Sequence, residues 1–266
     1  MKKGLLLLII LGLIATVAFS QKRETRQVSG FTGIDASSVF DISVTKGGTE
    51  SLTIEADNEV LQYVRSEVRS GVLNLYLDNS NKARNIKTLK ASIVMKNLDR
   101  ISLSGACKLT ANDLFTPDSF KAGCSGVAKM TVNVSTGQLN LESSGSCNIQ
   151  IKANVTGDAN LNMSGTSKVK GELKAMNVKF NTSGVSSIEL TGSANDIIVD
   201  VSGSSKIMAE NFPVKNAIIR SSGTGKVNVN VSDNLKVNSS GTSTVNYKGS
   251  PVIEVNNSRM AKVRSI

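Results

Sequence analysis

Leu161-Asn162-Met163-Ser164-Gly165-Thr166-Ser167-Lys168-Val169 decides how this chain folds, because its pattern returns again and again. Serine-glycine pairs place glycine at Gly105, Gly126, Gly145, Gly165, Gly184, Gly203, Gly223 and Gly241, separated by 21, 19, 20, 19, 19, 20 and 18 residues. A fixed period near twenty marks a repeat architecture in which each copy stacks on the next. Four residues before the glycines stand Ile101, Ala122, Leu141, Leu161, Phe180, Val199, Ile219 and Val237. Four residues after them stand Leu109, Met130, Ile149, Val169, Ile188, Ile207, Val227 and Val245. Both columns are apolar throughout, in a chain that is only 39% hydrophobic. The residues three before glycine are mostly polar, among them Glu142, Asn162, Asn181, Asp200, Arg220 and Asn238. The period is therefore two on each side of the pair, as in strands with one face in and one face out.

Glycine suits the corner between such strands because it takes positive φ without steric cost. Pro117, Pro213 and Pro251 follow their glycines by twelve, ten and ten residues and mark a second corner, where a missing N–H is tolerated. A unit of about twenty residues is too short for a propeller blade of about 40–50. The spread of separations does not fit a hexapeptide helix. The expected fold is all-β: a parallel β-helix-like solenoid of about eight coils over residues 101–266, with a C-terminal cap. At ~4.8 Å per coil it would be a rod of roughly 38 Å. An antiparallel meander remains the alternative, since corner glycines also serve hairpins.

Residues 28–100 lack the repeat and read as a less regular N-terminal β subdomain that caps the rod. Val39–Val44, Ser51–Glu55, Val72–Leu77 and Ser92–Met95 are strand-like, and Lys46-Gly47-Gly48-Thr49 suggests a hairpin. Asp78 to Lys87 is a polar loop, the segment expected to move most. Residues 21–27 are read as an N-terminal tail. Before them, Met1-Lys2-Lys3-Gly4 leads into an apolar run from Leu5 to Phe19, with Ala18 and Ser20 suited to a cleavage site. Residues 1–20 are thus expected to be a secretory signal peptide, cut after Ser20. A retained anchor is the alternative, the run being near the lower limit of ~17 residues for a spanning helix. With no second apolar run of that length, no membrane span is expected after signal removal.

The full chain carries a net charge of +10, and +8 remains without Lys2 and Lys3. This favours anionic partners and equally serves solubility. Of three cysteines, Cys107 and Cys147 lie two coils apart, ~9.6 Å, too far for a disulfide. Cys124, on the other side of its glycine, reads as a poor partner for either. All three are expected to be small buried thiols.

Val28-Ser29-Gly30-Phe31-Thr32-Gly33-Ile34, then Val39–Val44, Gly47 and Leu52-Thr53-Ile54-Glu55-Ala56-Asp57, resemble the opening of the head GIN domain family. The serial Ser-Gly turns and the stretch from Gly241 to Pro251 resemble its body and close. The likeness covers about residues 28–265. It implies an all-β, β-helix-like protein of the secreted or envelope class, found largely in Bacteroidetes and termed an auto-transporter adhesin. It carries no catalytic residues over. An auto-transporter's membrane barrel would need many alternating strands of ~10 residues with aromatic girdles, and no such stretch is read here.

Histidine is absent, which removes Ser-His-Asp and Cys-His chemistry and the commonest metal ligand. No nucleotide, zinc or calcium-roll motif is found, so no cofactor and no metal are expected. Export and an aromatic content of 4% disfavour nucleic acid, and the same shortage weakens neutral-sugar stacking. Glycosidic chemistry wants two carboxylates within ~5–9.5 Å. Glu142 and Asp200 share a column three coils apart, ~14 Å; Glu172 and Glu210, at +7 from their glycines, would be ~9.6 Å apart.

The sharper signal is basic. Three residues after glycine stand Lys108, Lys129, Lys168, Lys206 and Lys226, with Asn148, Ser187 and Thr244 between or beyond them. In register, five ammonium groups would line one face and could match the phosphates or sulfates of an extended glycan, or could simply keep a sheet face solvated. The reading is a non-catalytic exported interaction module, adhesin-like, periplasmic or at the cell surface, binding an anionic glycan or another envelope or surface component. The alternatives are a polysaccharide-processing enzyme on the same scaffold and a structural envelope protein joined end to end.

Overall fold

The structure is a computed structural model describing residues 21–78 and 85–266. The expected signal peptide, and most of the polar loop expected over 78–87, lie outside the described residues. The chain is a β-solenoid of about nine turns with a period near 19. Successive coils pair in parallel, Leu141 opposite Leu161 and Ile149 opposite Val169, so the antiparallel meander is set aside. Hydrogen bonds run along the rod, and each coil consists of two strands joined at the Ser-Gly corner. Pro117 and Pro251 fall in the breaks at the second corner, and Pro213 lies where the strand Lys206–Gly223 shifts register.

The two apolar columns form the core. All sixteen side chains four residues from a corner glycine are no more than 2% exposed. They stack coil on coil, as in Leu161, Phe180 and Val199 on one side and Val169, Ile188 and Ile207 on the other. Alternation points each of them inward because successive residues of a strand face opposite sides.

A ninth coil precedes the eight legible in the sequence. Gly33–Ala36 lies parallel to Arg100–Leu103, and Asp41–Lys46 to Lys108–Phe115, placing Ile34 under Ile101 and Ile42 under Leu109. Ser38 occupies the corner with φ +83°, doing what glycine does above it. The Ala106 amide donates to the Ser38 carbonyl at 2.7 Å, and the Val127 amide to Gly105 at 2.8 Å, one rung per coil. A side chain at Gly126 would meet the Gly105 carbonyl oxygen, so close stacking as well as positive φ (+76°) holds glycine there.

Between this coil and the next, the chain builds the covered end of the rod. Val72–Leu77 pairs with Gly33–Ala36 on its outer side, and Val64–Arg69 pairs antiparallel with Val72–Leu77. On the other flank Leu89–Met95 pairs with Asp41–Lys46, Ser51–Asp57 with Leu89–Met95, and Gln21–Arg26 with Ser51–Asp57. Residues 21–26, expected as tail, are therefore an edge strand, its side chains almost wholly exposed and its backbone pairing out to Gln21. Nor do Lys46–Thr49 make a hairpin. Leu89–Met95 lies between the strands they connect, because Asp41–Lys46 is committed to parallel partners on both sides. The Gly47 amide donates to Met95 as the chain passes over that strand.

A disulfide joins Cys124 and Cys147, with Cα atoms 6.3 Å apart, contrary to the expectation of three free thiols. Positions two before and two after glycine do not face apart. The corner turns both inward, and one coil of stacking brings the earlier position beside the later one of the next coil. Ser143 and Ser167 meet in the same relation, hydroxyl to hydroxyl. Cys107 stays free and buried; burial pushes its thiol pKa up, which keeps it protonated and unreactive.

Candidate binding faces beside the corner

The residues that flank the inward columns point outward and are free of packing demands. Three after the corner, the expected lysine column forms in register. Asp41, Lys108, Lys129, Asn148, Lys168, Ser187, Lys206 and Lys226 are successive partners across adjacent coils. Lys108 to Lys226 spans six coil steps, roughly 29 Å at ~4.8 Å per step. All five lysines are exposed. The sequence reading missed that the column continues through Thr244 to Lys262. No Ser-Gly pair precedes Lys262, but its distance of 18 residues from Thr244 carries the signal.

Lys108 is neutralised by Asp41 at 3.1 Å. Among the described residues, Lys129, Lys168, Lys206 and Lys226 make no ion pair. Glu189 stands in the next outward column, beside Lys170. Its carboxyl is held below the usual carboxylate range, first by a hydrogen bond from Lys170 and then by the charges of Lys170, Lys168 and Lys206. A hollow of about 390 Å³ opens farther along this flank, lined in part by Asn133, Gln150, Lys152, Lys170 and Gly171.

Glu172 and Glu210 do not fall in one column. Glu172 lies opposite Thr191 and Thr191 opposite Asn211, because the strand Lys206–Gly223 carries an extra residue at this level and Glu210 falls in the bulge. Glu172 instead lies 3.8 Å from Lys152. Glu142 and Asp200 do share a column, through Asn162 and Asn181, three coils apart at ~14 Å. Among the described residues, no three of His, Cys, Asp and Glu gather into a metal-binding group. None of the described helices is long and apolar enough to cross a membrane.

On the opposite flank, before the corner, runs a groove that the sequence reading missed. It has a volume of about 850 Å³ and extends from Ser102 to Ser240, across eight coils. One wall is the column Glu142, Asn162, Asn181, Asp200, Arg220 and Asn238; the other is the serine of the Ser-Gly pairs from Ser125 to Ser240. Asn181 donates to Asn162 at 2.6 Å, and Asp200 is paired with Arg220 at 3.0 Å.

The family model described as "Putative auto-transporter adhesin, head GIN domain" matches residues 30–157 and again 140–251. The chain belongs to the head GIN domain family. Solved structures share its architecture across nearly the full length. A "putative adhesin" from Parabacteroides distasonis is 21% identical with a TM-score of 0.70, covering 94% of this chain and 98% of that one. One from Parabacteroides merdae is 20% identical with a TM-score of 0.68, covering 92% and 96%. A "putative lipid binding protein" from P. distasonis is 15% identical with a TM-score of 0.55, covering 92% and 96%. At such identities the likeness shows the fold. No curated protein matches the chain.

Proposed function

We propose that this head GIN domain protein is a non-catalytic, exported interaction module whose lysine flank holds an anionic glycan or another acidic component of a cell envelope or surface. The observation that carries the reading is the in-register column in which Lys129, Lys168, Lys206 and Lys226 stand exposed and unpaired among the described residues. Four cations in line, at steps of one or two coils (~5–10 Å), suit a polymer with regularly spaced phosphates, sulfates or carboxylates better than one compact anion. Adhesin is also the word attached to the family and to two of its structural neighbours. The name of the third neighbour fits the same chemistry, since lipid headgroups present phosphate too. The three coils between Glu142 and Asp200, ~14 Å, put that pair beyond the working range and support a non-catalytic role.

The test is binding of the chain lacking residues 1–20 to an array of acidic and neutral glycans and to anionic and neutral vesicles, at low and high salt. Salt-sensitive capture by acidic members is expected, and it should vanish when Lys108, Lys129, Lys168, Lys206 and Lys226 become glutamine. Equal capture by the variant would overturn the reading.

A further inference from the structure

We infer that the groove before the corner is a second binding site, for an uncharged hydroxyl-rich chain: a neutral glycan lying along the rod with about one sugar per coil. This goes beyond the lysine-flank reading and does not depend on it, because the two sites lie on opposite sides of the corner.

Three observations lead there. The groove has the shape for a linear ligand, being continuous over eight coils with a volume of about 850 Å³. Its walls repeat: each coil from Glu142 to Asn238 offers one polar side chain three before glycine and one serine hydroxyl beside it. Its charges are few. Asp200 is bridged by Arg220 at 3.0 Å and approached by Lys179 at 3.9 Å, Glu142 makes no ion pair among the described residues, and serines and carboxamides supply most of the other polar groups. Hydroxyls and carboxamides both donate and accept hydrogen bonds, as sugar hydroxyls do.

The step size chooses among polymers. A ligand parallel to the rod meets equivalent groups every ~4.8 Å, whereas an extended peptide advances ~3.3 Å per residue and falls out of register within a few residues. An extended chain of β-linked pyranoses advances by about one coil height per sugar, so each unit comes beside the serine of the next coil and the polar side chain next to it, which is Asn at positions 162, 181 and 238. No aromatic residue lines the groove. Each sugar is therefore held weakly, and affinity must accumulate with length, every additional contact being intramolecular once the first is made.

The test titrates the chain lacking residues 1–20 with cello-oligosaccharides of two to six units, alongside a Gly-Ser peptide of equal length, at low and high salt. Affinity should rise several-fold with each added sugar, change little with salt, and survive glutamine substitution of the lysine column. Two separate variants, Ser183→Leu with Ser202→Leu, and Asn181→Leu, should each weaken the hexamer at least tenfold while leaving the circular dichroism and denaturant midpoint near wild type. No binding, binding independent of length, equal binding of the peptide, or loss in the lysine variant would each overturn the proposal. The last result would place the glycan on the other flank.

Discussion

Three residues after the corner glycine the solenoid presents lysine in five of eight coils; three residues before it, the same repeat presents mostly amides, acids and a single arginine. The two flanks share backbone, period and stacking. They differ because neither column takes part in packing, so the fold leaves the outward identities open while it restricts the inward ones to side chains that fill a two-walled core. A repeat protein of this kind separates its structural residues from its binding residues by position within each coil. Substitutions at inward and outward positions should then behave as two populations.

The largest contrast is expected between Phe180 and its outward neighbours. Phe180→Ala removes a fully buried ring and should cost about 3–5 kcal/mol of stability, whereas Lys168→Gln should stay within about 0.5 kcal/mol. Denaturant midpoints of the two variants measure the gap. Comparable losses would dissolve the distinction.

Next comes the cross-coil bond between Cys124 and Cys147, which closes a loop with a sequence separation of 23. Replacing both by serine should cost about 2–4 kcal/mol, and a reducing agent should move the wild-type midpoint toward that of the variant. Cys107→Ser, by contrast, should not alter the response to reductant.

Corner glycines should show a smaller effect that depends on position. Gly184 has φ +95°, and a Cβ there would come within 2.7 Å of the Gly165 carbonyl oxygen. Gly184→Ala is expected to lose about 1–3 kcal/mol. At Gly48 nothing lies within 4 Å of such a Cβ, so Gly48→Ala should be close to neutral in the same assay.

The smallest effect is electrostatic. Because the pKa of Glu189 is depressed in the folded chain, the stabilisation it brings is complete above its unfolded pKa and is lost as pH falls through the folded value. Titration followed by NMR should find the carboxyl below the ordinary range, and Lys170→Met should raise it. An unchanged value would remove the evidence for a concentrated positive field on this flank.

These contrasts follow what the sequence could disclose. The columns around Leu161 and Val169 were legible because burial leaves a period of two on a repeat of about twenty. The first coil was hidden, since Ser38 replaces the glycine and stands 67 positions before Gly105, far outside the period near twenty. The register of the lysines followed from counting. The extra residue that displaces Glu210 did not, because a bulge changes pairing without changing composition. Cys124 and Cys147 pair through the direction in which the corner turns, and the groove is a shape between columns. Neither leaves a mark in residue spacing.

If the lysine flank is a surface for acidic polymers, its affinity for them depends on these cations. Heparin affinity over a range of salt concentrations decides this, for the wild type and for a variant with Lys129, Lys168, Lys206 and Lys226 changed to glutamine. Wild-type affinity should fall steeply with salt, the variant should lose both the affinity and most of the slope, and neither effect should appear with dextran. The same affinity and slope in the variant would contradict that role and leave these lysines as solvation of a sheet face.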